Sequence, residues 1–174
     1  MPGFLFLGAS GRDLMSRAHE IEETPWIAAS RAARPLVWSR RVRAALFDRA
    51  ARGYPHEVCG LLLGREAERG TAVERITQAR NLAVERPADR YTLDPADFLA
   101  ADRIARRDGL EIVGIWHTHP DHPARPSRTD HEAAWEGWSY VILSVGRGGV
   151  AARASFRLRG GRFEEQPIDE ELVA

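Results

Sequence analysis

Two histidines stand two residues apart in His117-Thr118-His119-Pro120. Seven residues separate His119 from Ser127, and two more separate Ser127 from Asp130. On a strand the side-chain period is two, so both imidazoles face the same way and reach one ion. A helix needs a spacing of four for the same purpose, as in HExxH. Ser127 lies at the mouth of a predicted helix and Asp130 one turn in, on the same side. Two imidazoles and a carboxylate around an open fourth position suit a catalytic zinc. Water held there has its pKa lowered toward ~7. A ligating Asp130 cannot also take that water's proton. Glu57, at the lip of the apolar run Val58–Leu63, is the candidate general base and carrier of the proton to a leaving amine.

Each of these features alone has a plainer reading. A His-x-His pair is common on surfaces, and Ser127-x-x-Asp130 is also a helix capping box. Glu57 alone is a solvent-facing acid at a strand end. Their joint occurrence beside a Pro-rich loop turns the balance to a metal site. Asp121 and His122 lie next to the ligands, as support for them or simply in solvent. His131 is turned about 100° around the helix from Asp130 and does not share the ion. His56 faces away from Glu57. Cys59 reads as a buried thiol, although the period of two aims it toward the metal side. Trp116 reads as core, and Trp135 and Trp138 as helix-to-sheet packing, with an exposed substrate-facing role the lesser option.

These groups need a scaffold. Val42, Leu46 and Ala50 recur at helical spacing and predict a helix over 37–52, ended by Gly53 and Pro55. Val58–Leu63 reads as a buried strand, with 71–77 as its partner across the Arg69-Gly70 turn. Asp94 caps a helix with Pro95 at its first position, and Gly109 stops it. Residues 111–117 form the strand that carries the histidines, and 127–135 a helix. Tyr140–Val145 is a central strand, 150–159 pairs with it, and 163–168 adds an edge. Helices and strands alternate without a regular βαβ rhythm. The class is α/β or α+β with a mixed sheet.

The chain has 174 residues and one cysteine, so it folds without an internal disulfide. Its 25 basic residues are all arginine and are balanced by 25 acidic ones, which leaves no overall basic footprint for nucleic acid. Charge is uneven: residues 31–53 are basic and 163–174 acidic, read as two solvated faces. No apolar run approaches the ~20 residues of a membrane span. The apolar start Met1–Gly8 lacks a charged leader, so a cytoplasmic protein is expected. Residues 1–35 read as an extension, partly helical around 13–21, 36–168 as the domain, and 169–174 as an acidic tail.

The set Glu57, His117-x-His119, Ser127 and Asp130 resembles the JAMM motif of the MPN-domain metallopeptidases, in their prokaryotic branch. Glu57-Val-Cys-Gly-Leu-Leu-Leu-Gly64, Arg90-Tyr-Thr-Leu-Asp-Pro95, Val113-Gly-Ile-Trp-His-Thr-His-Pro120 and Pro126-Ser-Arg-Thr-Asp130 all read like it. The likeness spans about residues 36–167. It implies a mixed curved sheet flanked by helices, an architecture like that of cytidine deaminases. It implies one zinc per chain on His117, His119 and Asp130, a base at Glu57, and Ser127 as hydroxyl donor to the tetrahedral oxyanion. Similar prokaryotic proteins cut after the C-terminal Gly-Gly of ubiquitin-like sulfur-carrier proteins. A partner of that kind, arriving in trans, is therefore expected, with 82–91 and 121–126 as groove walls and no membrane or nucleic acid involved. The rival readings are a non-catalytic MPN module and a RadC-like protein of DNA repair. The latter family typically reads His-Asn-His-Pro-Ser-Gly, where this chain has His-Thr-His-Pro-Asp-His.

Overall fold

Apolar alternation, and apolar runs where both faces are covered, set the architecture. The computed structural model describes residues 34–83 and 91–171. Its strands are β1 (Leu36–Ser39), β2 (Cys59–Ala67), β3 (Gly70–Ile76), β4 (Glu111–Pro120), β5 (Ser139–Gly146), β6 (Gly149–Arg159), β7 (Arg162–Gln166) and β8 (Ile168–Glu171). They form one sheet in the order β7-β6-β5-β4-β2-β3-β1-β8. The pairs β1–β3, β1–β8 and β4–β5 are parallel. The other pairs are antiparallel, so the sheet is mixed, as expected. The helices are α1 (Arg40–Gly53), α2 (Pro95–Arg107) and α3 (Arg128–Ala133).

The sheet is strongly curved, and the connection between its two edges shows why. β7 and β8 lie at opposite ends of the strand order, yet only Pro167 separates them in the chain. Laid flat, eight strands at ~4.8 Å spacing would put these edges roughly 34 Å apart. The chain from Gln166 to Ile168 spans at most about 7 Å. The sheet therefore curls until its edges nearly meet. Polar contacts span the closure. Gln166 Nε2 donates to the Arg34 carbonyl at 2.9 Å, while its Oε1 is held within the β6–β7 pair by the Ser155 hydroxyl at 2.9 Å. Arg157 on β6 reaches Thr71 Oγ1 at 2.8 Å and pairs with Glu66 at 3.0 Å.

Two apolar clusters flank the sheet. Leu62, Trp116, Val141 and Leu143 pack with Leu46 and Ala50 of α1. Leu61 and Leu63 face the other way and pack with Ala101 and Ala105 of α2. β2 is thus covered on both faces, which explains its unbroken apolar run. α2 starts as read: the Asp94 side chain accepts from Ala96 N at 2.7 Å, with Pro95 in the first turn.

Several boundaries differ from the sequence reading. The helix expected from residue 37 begins at Arg40. Leu36 and Trp38 are fully buried on one side of β1, and Ser39 caps α1 by accepting from Val42 N at 3.2 Å. Residues 163–168 are split: Pro167 ends β7, and Ile168 opens β8 on the opposite edge. The acidic residues set apart as a tail from 169 run through Glu171 as β8, parallel to β1. α3 ends at Ala133, so Trp135 lies beyond it and is 53% exposed, not packed in the core. Trp135 stands edge-on to Phe98 and Trp138, while Trp138 packs partly against the α2 cluster. The extension expected over 1–35 lies outside the described residues, apart from Arg34 and Pro35. Among the described residues, no helix is long and apolar enough to cross a membrane.

Gly60 is a tight point of this packing. A Cβ there would lie 1.9 Å from the Thr77 carbonyl oxygen and 2.6 Å from Trp116 Nε1. These two atoms are themselves hydrogen-bonded at 2.8 Å, which seats the buried indole beside the site-bearing strand. Gly60→Ala is expected to lower folding stability by about 3 kcal/mol, the upper end of overpacking costs. Urea unfolding followed by tryptophan fluorescence checks this.

Candidate metal centre

β4 is paired on both sides, antiparallel to β2 and parallel to β5. It carries His117 and His119 on one face, as the period of two requires. Cys59 pairs with His117 across the β2–β4 ladder. Thr118 continues that pairing: its N–H donates to the Val58 carbonyl at 3.0 Å, and its hydroxyl accepts from Val58 N at 3.0 Å. Carried one residue further, the register sets Glu57 opposite His119. Glu57 is therefore brought to the site by strand pairing, although it precedes β2.

The side chains converge. His117 Nε2 lies 3.1 Å from His119 Nε2 and 3.1 Å from Asp130 Oδ1. His119 Nε2 lies 3.7 Å from Asp130 Oδ2 and 3.7 Å from Glu57 Oε1. Ligand atoms about 2.0–2.1 Å from a tetrahedral zinc lie roughly 3.3 Å from one another. The separations among His117, His119 and Asp130 bracket that edge. Glu57, His117 and His119 also offer ligand atoms within 4.8 Å of one another. Asp130 meets His117 at 3.1 Å and His119 at 3.7 Å, and Glu57 meets His119 at 3.7 Å. The donor set matches a borderline-soft dication: two imidazole nitrogens and a carboxylate, almost wholly removed from water.

Asp130 serves two purposes at once. Ser127 caps α3 by accepting from Asp130 N at 3.1 Å. In return Asp130 Oδ2 accepts from Ser127 N at 2.6 Å and from the Ser127 hydroxyl at 2.7 Å. The capping box and the metal reading are thus compatible in one carboxylate. The box fixes its rotation and leaves Oδ1 toward His117. Burial would raise the Asp130 carboxyl, but the adjoining His117 and His119 imidazoles and the Ser127 hydroxyl outweigh it and hold the group far below the usual carboxylate range.

The two imidazoles differ. Burial pushes His117 down and keeps it neutral. Burial also pulls at His119, but Asp130, the Pro123 carbonyl and Glu57 outweigh it and push it up. His119 Nδ1 lies 3.0 Å from the Pro123 oxygen, which can only accept, so Nδ1 carries the proton and Nε2 turns its lone pair to the cluster. The loop 121–126, expected as a groove wall, thereby orients the His119 ring. Its turn is held by Asp121, which has φ 55°, donates its N–H to the Val145 carbonyl and accepts from the Tyr54 hydroxyl at 3.0 Å.

The remaining candidates stand apart from the cluster. His56 and His122 are exposed. His131 stacks edge-on against Phe163. Cys59 is fully buried, with Sγ 4.0 Å from the Ala79 carbonyl oxygen. Burial and the Glu57 carboxylate push its thiol up to about 12.

Sequence reasoning passes over Asn81, and it places Tyr91 only within a family phrase and at the end of an expected groove wall. Asn81, the chain's single asparagine, donates from Nδ2 to the Glu57 carbonyl at 3.1 Å and accepts at Oδ1 from Ala83 N and Thr92 N. It clamps the Glu57 backbone to the 81–93 segment. Its signal was faint: an asparagine bonding the amide two residues on marks a turn, in a stretch otherwise read as loop. Tyr91 stacks on His117 with ring centroids 4.6 Å apart. Burial and the Asp130 carboxylate push its hydroxyl well above the usual tyrosine range, so it stays protonated. Of the other expected groove wall, 82–91, residues 84–90 lie outside the described residues.

With this geometry in place, comparison with known proteins is informative. The family of prokaryotic homologues of the JAB domain (Prok-JAB) matches residues 39–159. A desampylase of Haloferax volcanii is 38% identical over 97 residues, covering 55% of this chain and 67% of that protein. A probable TtuB-protein conjugate cleaving protease of Thermus thermophilus is 38% identical over 99 residues, covering 56% and 61%. The CysO-cysteine peptidase of Mycobacterium tuberculosis is 34% identical over 127 residues, covering 72% and 84%. Among solved structures, a Desulfitobacterium hafniense protein superposes with a TM-score of 0.69 at 28% identity, over 78% of this chain and 92% of that one. A Salinibacter ruber protein does so at 0.62 and 37% identity, over 78% and 91%. The chain belongs to the prokaryotic branch of the JAMM/MPN+ family and is a hydrolase of the peptidase kind.

Proposed function

We propose that this protein is a zinc-dependent peptidase or isopeptidase that hydrolyses the amide bond after the C-terminal Gly-Gly of a ubiquitin-like or sulfur-carrier protein. The observation that carries the reading is the convergence of a buried carboxylate, Glu57, on the His117, His119 and Asp130 cluster. Glu57 is a second carboxylate at the cluster, 3.7 Å from His119 Nε2, and it is held through its own backbone contacts rather than by the capping box that fixes Asp130. The names of the relatives support the substrate class: they act on protein conjugates or on a carrier–cysteine bond.

In this reading His117, His119 and Asp130 hold the ion. When bound, zinc supplies Lewis-acid polarisation and a water of lowered pKa. The protein supplies the rest. Glu57, fixed through the Val58–Thr118 and Asn81 contacts, takes the proton of the attacking water and passes it to the departing amine. Ser127 is exposed at the cap of α3, and its hydroxyl turns from Asp130 Oδ2 to donate to the oxyanion. Glu57 and His117 are buried while Ser127 is exposed and His119 partly so, so the substrate enters over His119 and Ser127. A Gly-Gly tail suits that approach because it brings no side chains into a confined site.

Native mass spectrometry of the purified protein is expected to show one zinc per chain. An active, folded protein free of metal would end the reading. Glu57→Gln is expected to keep the metal and lose turnover by about three orders of magnitude or more. The assay is a Gly-Gly-ended carrier bearing one extra C-terminal residue, with the products weighed. Ser127→Ala removes both the cap and the oxyanion donor. It is expected to cost about 1 kcal/mol of stability and to lower kcat by about 100-fold with KM little changed. Unfolding curves and steady-state kinetics separate the two effects.

A further inference from the structure

The two histidines of the cluster are held by unlike means. The His119 ring is fixed by the bond from its Nδ1 to the Pro123 carbonyl. His117 Nδ1 is buried and has no hydrogen-bond partner among the described residues. A ligating imidazole is normally oriented by a hydrogen bond from its far nitrogen, and loss of that partner weakens metal binding. Among the described residues, no hydrogen bond of that kind restrains rotation of the His117 ring. What lies against it is an aromatic face: Tyr91 stacks on the imidazole at 4.6 Å with 29° between the planes.

Tyr91 is itself firmly placed. The next residue donates its N–H to Asn81 Oδ1 at 2.9 Å, and Leu82 N donates back to the Thr92 carbonyl at 2.8 Å. Asn81 and Leu93 form a bridge, and Asp94 N donates to the Arg80 carbonyl at 3.1 Å. The same Asn81 side chain holds the Glu57 backbone. The stacked ring thus belongs to the framework that sets the proposed base.

We propose that Tyr91 is a positioning residue for the metal site, fixing the His117 imidazole by stacking where His119 is fixed by a hydrogen bond. The proposal rests on the zinc reading above. It does not require the tyrosine hydroxyl, only a flat ring of that size on the His117 face.

The test uses the full chain stripped of metal. Long-range proton–nitrogen NMR of the histidine rings reads the stacking before any zinc is added. In the wild type the His117 ring protons are expected upfield, an effect that Tyr91→Phe keeps and Tyr91→Leu and Tyr91→Met lose. Zinc is then titrated against a competing chelator. The two non-aromatic variants are expected to bind zinc about 10- to 100-fold more weakly, and Tyr91→Phe within about threefold of wild type. Wild-type zinc affinity in a folded Leu or Met variant would overturn the proposal. So would the absence of any upfield shift in the wild type, which needs no variant to fold. A wild type that shows the shift but takes up no zinc would instead sink the metal reading.

Discussion

The structure depends on the register between β2 and β4. Pairing Cys59 with His117 fixes which face of β4 looks at the segment before β2. A slip of one residue would turn both histidines to the other face and leave Glu57 opposite a residue that does not face the cluster. The register is defended from several sides. Thr118 ties Val58 through backbone and hydroxyl, Trp116 bonds the Thr77 carbonyl through its indole, and Gly60 leaves the space that this indole needs. β4 is also held on its far side by β5 over seven residue pairs, from Gly114 to Pro120. A strand paired along both edges has no freedom to shift, so the imidazoles inherit the rigidity of the sheet.

The carboxylate of the cluster, Asp130, comes from a helix too short to be stable by itself. α3 has six residues, well under the length at which isolated helices persist in water. Its start is secured by the reciprocal Ser127–Asp130 bonds, and Asp130 is buried against the two histidines. The same carboxylate therefore stabilises the helix and completes the cluster. An unpaired buried carboxylate would be expensive. The cluster makes its burial tolerable, and a bound dication would do so more fully. Local stability and site geometry are coupled through one side chain.

The cluster was more legible in the sequence than the scaffold around it, for physical reasons. His117, His119, Ser127 and Asp130 lie within fourteen residues, and short-range periods place them on the strand and the helix cap. The double-sided core was legible in Leu61, Leu62 and Leu63, because a continuous apolar run needs cover on both faces. β1 was hidden because its four residues precede a helix whose apolar period swallows them. β8 was hidden because Asp169, Glu170 and Glu171 look like a solvated tail. What places them in the sheet is pairing with β1 from the far end of the chain, which composition does not encode. Trp135 misled for a related reason: α3 stops at Ala133, and two residues past the end of a helix no longer follow its packing face.

Asn81 shows where reading by motif runs out, and Tyr91 where a motif gives a position without a role. Neither offers the ion a ligand, and both lie in a stretch with no sustained period. Their contribution is to connect. Asn81 joins the backbone of Glu57 to that of Thr92, and Tyr91, one residue before it, lies on His117. Glu57 and His117 are thus referred to the same short segment, while His119 is referred to the loop at Pro123. Side chains that do chemistry must hold fixed distances from each other as well as from the sheet. In this fold the strand register supplies the coarse placement, and two irregular segments on either side of β4 supply the fine adjustment. Residues in such segments belong to the site as much as the ligands do, because a ring that turns about its Cβ–Cγ bond is lost as a ligand even when its backbone never moves.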